Sequence, residues 1–178
     1  MIDQQIIKYL NSKNVSTNPN ETKERLEIIW KDMTKMKKDE AVRIGGFSNT
    51  RSFNKTRGSG LISVRMVIAI SIAMQVNPFY ITAEEDDINC YSEEKIIDFI
   101  RKNNLESYLE ERVDGVDKVA LTQYMSSLIS NLSNSKVEEI NQLSNNDLGT
   151  LLSAVLIRDR IDDKEENRIF LLKLLLTS

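Results

Sequence analysis

Apolar side chains recur at spacings of three and four along most of the chain, the period of helices that each bury one face, and no pair of strands is credible. The pattern predicts an all-α protein. A short helix is expected over residues 3–10, followed by a polar, Asn-rich link. Asn18, Pro19 and Glu21 then supply a cap, a proline at the first helical position and an acid in the first turn. The helix they open places Leu26, Ile29, Trp30, Met33 and Met36 on one face. A second helix is expected over residues 39–44, stopped by Gly45 and Gly46, with Phe47 as an apolar plug. Ser48 is positioned to cap a third over residues 49–57, ended by Gly58, Ser59 and Gly60, with Phe53 its one large apolar side chain. Ser63 caps a fourth that is apolar nearly all round (Val64, Val67, Ile68, Ile70, Ile72, Ala73, Met74, Val76), as befits a central core helix. Asn77 and Pro78 open a fifth, short helix carrying Phe79, Tyr80 and Ile81.

The acidic run Glu84, Glu85, Asp86 and Asp87 reads as a solvated link and a boundary, giving an N-terminal helix and link over residues 1–20, a helical domain over 21–84 and a second over 90–178. The latter is expected to hold helices over residues 92–102, 105–113, 117–132, 136–143, 147–161 and 164–176. Residues 169–176 are apolar except for Lys173, so that helix has to be covered. Leu151, Leu152, Val155 and Leu156 offer a matching face. The resulting expectation is a homodimer formed through Leu151, Leu152, Val155, Leu171, Leu172 and Leu175.

Charge sharpens this picture. The chain has a formal net charge of −3, yet residues 41–83 contain no Asp or Glu and hold Arg43, Arg51, Lys55, Arg57 and Arg65. Between Thr22 and Met66 eleven Lys and Arg face five Asp and Glu, a net +6, which leaves thirteen against twenty-two, or −9, for the remainder. A stretch cleared of carboxylates and loaded with guanidinium groups spares a polyanion from repulsion, and the obvious polyanion is nucleic acid.

Composition excludes much else. The absence of His removes the commonest general base, the usual zinc ligand and the Ser-His and Cys-His pairs. Cys90 is alone, so neither an internal disulfide nor a thiolate metal cage forms. No metal, cofactor or enzymatic activity is expected. No basic start followed by an apolar run suggests a secretory signal, and residues 66–74 are too short an apolar run for a membrane span, so the protein is expected in the cytoplasm.

Two helices joined by a Gly turn, the second polar, basic and preceded by Ser, all braced by an apolar helix, is the layout of a helix-turn-helix reader of DNA. The segment KKDEAVRIGGFSNTRSFNKTRGSGLISVRMVIAISIAMQVNPFYIT resembles the lambda-repressor-like (Cro/C1-type) helix-turn-helix regulators of bacteria and phages, over about residues 24–83. The correspondence rests on Glu40 and Ala41, Gly45 and Gly46, Ser48, Arg57 and Gly58, Ser63 and Val64, and residues 77–81. The family's apolar position in the recognition helix, counted from Gly46, falls on Ser52, whereas here the apolar side chain is Phe53.

The resemblance implies that Asn49, Thr50 and Arg51 lie nearest the bases, that Asn54 and Lys55 come next, that Lys38 and Arg57 bind phosphate, and that Ser48 belongs to the same DNA-binding set. It further implies a double-stranded DNA-binding regulator of transcription, a repressor in the simplest case, with the acidic C-terminal part as dimeriser and seat of any protein or small-molecule effector. The same layout serves plasmid or phage partition and replication control, and a helical adaptor or antirepressor would use it to grip protein instead.

Overall fold

The computed structural model describes residues 13–104 and 134–158. Among these the regular structure is helical, apart from one isolated antiparallel bridge between Asn14 and Ser63. The helices are α1 (Pro19–Asp32), α2 (Lys35–Ile44), α3 (Arg51–Ser59), α4 (Val64–Met74), α5 (Pro78–Ile81), α6 (Glu93–Lys102), α7 (Asn134–Gln142) and α8 (Asn145–Arg158). The helices expected over residues 3–10, 105–113, 117–132 and 164–176 lie outside the described residues.

Polar caps set most of the boundaries. Asn18 Oδ1 accepts from the Glu21 amide, with Pro19 at the first helical position. Ser63 Oγ accepts from the Met66 amide, Asn77 Oδ1 from the Phe79 amide at 3.0 Å, and Ser92 Oγ from the Lys95 amide at 3.1 Å. Ser144 does the same for Asp147 at 3.1 Å, so α8 starts before residue 147, the expected start. In α6, Glu93 and Glu94 occupy the first turn and Arg101 and Lys102 the last, the arrangement the helix dipole favours.

One expected helix is two. The face running from Leu26 to Met36 breaks at Met33, whose extended backbone ends α1, and Thr34 Oγ1 caps α2 by accepting from the Lys37 amide. A hydroxyl there offers the backbone an alternative to continuing α1. As a result Met33 is buried, whereas Met36 is 73% exposed on α2.

α4 is the centre of the fold. Val64, every residue from Met66 to Ser71, and Ala73 are buried, and each large apolar side chain so removed from water contributes about 1.5–3 kcal/mol. α2 packs on α4 and α1 on α3; α5 and α6 close the opposite side, where Phe79 meets Phe99 edge to face at 5.4 Å. α8 packs on α6, and one apolar cluster runs from Val15 to Ile157, through the position expected to divide the chain.

Three acids of the run are held by ion pairs, while Asp86 and Asp87 stay exposed as a solvated link would be. Asp86 pairs with Arg25 Nη2 at 2.7 Å, Glu85 with Lys95 at 2.6 Å and Glu84 with Lys102. Glu85 also accepts from Asn77 Nδ2 at 2.8 Å, and the Lys95 and Asn77 bonds hold its carboxyl below the usual range. Lys95 is raised by the same bond. Arg25, buried on α1, completes the staple: it donates to the carbonyls of Tyr80 (2.9 Å) and Glu85, pairs with Glu21 and lies 4.5 Å from the Tyr80 ring centre. The preceding link is likewise fixed. The Val15 amide donates to the Ile62 carbonyl at 2.9 Å, and the Thr17 amide and hydroxyl both donate to the Thr82 carbonyl.

Leu151, Leu152 and Val155, expected at a dimer interface, are already buried within the chain at 3%, 0% and 0% exposure. In the single chain these three side chains are therefore not an exposed apolar face. Leu171, Leu172 and Leu175 lie outside the described residues.

Candidate nucleic-acid interface

α3 shows how one short helix is held while most of its surface stays free. Phe53 and Thr56 face inward, at 2% and 9% exposure. Phe53 stacks on Trp30 of α1 (centroids 6.1 Å apart, planes 25° apart) and takes the Phe47 ring edge to face at 5.1 Å. Trp30 is half-buried, so it anchors α3 from the rim of the core and not from its interior. Arg51, Ser52, Asn54, Lys55, Gly58 and Ser59 are exposed. No carboxylate lies on that face, because none exists in residues 41–83.

Residues 45–50 form the connection between α2 and α3. Within α3 the buried position is Phe53, and Ser52 before it is exposed. α4 grips it from behind: Arg65 Nη2 donates to the Gly46 carbonyl at 2.6 Å and its guanidinium lies 4.5 Å from the Phe47 ring centre. Gly46 takes the left-handed conformation at φ 59°.

The helix starts at Arg51, two residues later than expected. Ser48 is exposed and is not its cap; the Ser48 hydroxyl accepts from Asn49 Nδ2 at 3.4 Å. Asn49 Oδ1 instead accepts from the Arg51 amide at 2.9 Å, and Thr50, at the cap position, makes no capping bond. The side chains of Ser48 and Asn49 therefore order the entry to α3, a local duty that competes with base contact. Gly58 does not stop the helix. Gly60 does, at φ 70°, with its amide donating to the Thr56 carbonyl at 2.7 Å.

The cations implied to meet phosphate differ in their surroundings. Arg51 and Lys55 make no ion pair with any described residue. Lys38 lies a turn inside α2, which begins at Lys35, with its ammonium 4.7 Å from the centre of the Trp30 ring. Arg57 is not unopposed. Its Nε pairs with Glu27 Oε1 of α1 at 3.1 Å and its guanidinium lies 5.3 Å from the same Trp30 ring. Glu27 lies thirty positions upstream, so no local spacing signalled the pair.

Two further exposed residues adjoin the candidate surface. Ser52 joins the exposed face of α3, and its place just after Arg51 follows once the helix start is moved. Lys35 is exposed at the start of α2, and Thr34 was the available signal. Among the described residues no group of His, Cys, Asp and Glu could hold a metal ion, and no helix is long and apolar enough to cross a membrane. No protein-family model matches the chain, and no characterised protein or solved structure is significantly similar to it.

Proposed function

We propose that this protein binds double-stranded DNA with sequence preference, and that it regulates transcription, two copies meeting two half-sites. One observation carries the reading: the exposed face of α3 presents Arg51, Ser52, Asn54 and Lys55 with no carboxylate among them, while on the buried face, which also holds Thr56, Phe53 packs against Trp30 and Phe47. A groove reader needs this combination. Guanidinium, amide and hydroxyl groups can bond base edges and phosphates, and rigid support from behind keeps them in register. Arg51, at the first turn, is assigned to a base; Asn54 and Lys55 follow along the helix, and Lys38 is assigned to phosphate.

The test begins by selecting bound sequences from a random duplex pool and then measures the selected site by fluorescence anisotropy. Arg51→Ala is expected to weaken that site by about 1–3 kcal/mol, roughly 5- to 150-fold, with unchanged circular dichroism. Affinity equal to wild type removes Arg51 from the reading surface. Binding of duplex that does not weaken between 50 and 200 mM salt would point away from phosphate contacts and toward the adaptor reading.

A further inference from the structure

Arg57 is the one cation implied to meet phosphate that already has an acidic partner, and that partner comes from another helix. The pair links α1 to α3, with the Glu27 side chain 41% exposed and that of Arg57 29% exposed. An ion pair this open is screened and exchangeable, unlike a buried one, and a phosphate oxygen can compete for the same guanidinium. Trp30 holds the competition in place. Arg57 and Lys38 both lie over its ring, at 5.3 and 4.7 Å, and of the two only Arg57 makes an ion pair among the described residues.

We infer that Glu27 is an affinity-limiting residue of the DNA surface: it neutralises Arg57 and so withholds one backbone contact from duplex of any sequence. The inference rests on the DNA-binding reading and specifies how that site is regulated. The wild-type pair presents no net charge to the duplex, whereas an unpaired Arg57 presents one positive charge. A backbone contact carries no sequence information, so Glu27 limits sequence-independent attraction and leaves recognition to the exposed face of α3. The alternative role for the same pair is a plain clasp between α1 and α3, which would affect folding but not the count of phosphates neutralised.

The experiment measures binding of a fluorescein-labelled duplex of mixed sequence to the full chain, by anisotropy, from 50 to 300 mM KCl. Four proteins are compared: wild type, Glu27→Gln, the double variant Glu27→Gln/Arg57→Gln, and Glu24→Gln. Glu24 is exposed on α1 and has no ion pair among the described residues, so its variant makes the same change in net charge without releasing an arginine. Glu27→Gln is expected to bind about two- to fivefold more tightly at 50 mM and to steepen the plot of log K against log salt by about 0.9. The double variant is expected to return to the wild-type slope, and Glu24→Gln to shift it by less than about 0.3.

A wild type that binds with a salt-dependent slope, alongside a Glu27→Gln variant of identical slope, overturns the inference and leaves the DNA reading intact. Equal steepening by Glu24→Gln also overturns it, since general charge would then suffice. If no protein in the set binds duplex at 50 mM, both readings fall. If Glu27→Gln proves unfolded by circular dichroism, Glu27 is a clasp and the inference is wrong.

Discussion

Replacing Gly60 with alanine isolates the junction that sets where α3 ends. Two costs act together. The residue sits at φ 70°, a left-handed conformation that costs an L-residue with a Cβ roughly 1–2 kcal/mol. A Cβ built there would lie 2.7 Å from the Pro19 carbonyl carbon and 3.1 Å from its Cα, and closer still to the carbonyl oxygen. These are backbone atoms, so relief requires the start of α1 to retreat, a distortion of the kind that costs about 1–3 kcal/mol. The sum is about 2–5 kcal/mol. With a urea dependence of about 2 kcal/mol per molar, the unfolding midpoint should fall by roughly 1–2.5 M at unchanged slope. Gly58 is the control: nothing lies within 4 Å of its Cβ position, and it is helical, so alanine there should stabilise by about 0.5–1 kcal/mol. The assay is urea unfolding followed by circular dichroism at 222 nm. A Gly60→Ala midpoint within about 0.3 M of wild type would show that α1 and the α3 exit are not in contact as described.

Arg25→Met should destabilise by about 2–4 kcal/mol, because the Tyr80 and Glu85 carbonyls lose their shared donor; thermal unfolding at fixed pH reads this directly, and a change below about 0.5 kcal/mol would contradict the staple. Glu85 gives a pH dependence. Its folded pKa is lowered, so its contribution is present above the unfolded carboxylate value and is lost as pH falls through the folded one. Glu85→Gln should therefore flatten the acid limb of a stability–pH profile below about pH 4.5, and an unaltered limb would remove Glu85 from it. Ser63→Ala should cost about 1 kcal/mol through loss of the α4 cap, measured by the same urea titration, with no loss at all as the contrary result.

The helices were legible wherever one local rule acted alone. Asn18, Ser63 and Asn77 announced the starts of α1, α4 and α5, and the unbroken apolar run of α4 marked the centre of the fold. Where two rules competed, the wrong one was read. Met33 and Met36 fit a single helical face, which hid the cap at Thr34; Ser48 is a good cap by type, yet Asn49 supplies the bond. At the candidate site, the carboxylate-free face of α3 was visible as a gap in acid usage. The Glu27–Arg57 pair and the pairs made by residues 84–86 were not, because partners 10 to 61 positions apart leave no periodic trace.

The strap at residues 14–17 and the seat of Phe99 against Phe79 bear on how the protein can be divided. A fragment trimmed to the five helices from Pro19 to Ile81 would forfeit the threads tying Ile62 and Thr82 to the N-terminal segment, and would open the underside of α4 and α5 to water. Those contacts reach from residues 14–17 to α6, so the proposed DNA binding is better tested by point substitution than by truncation.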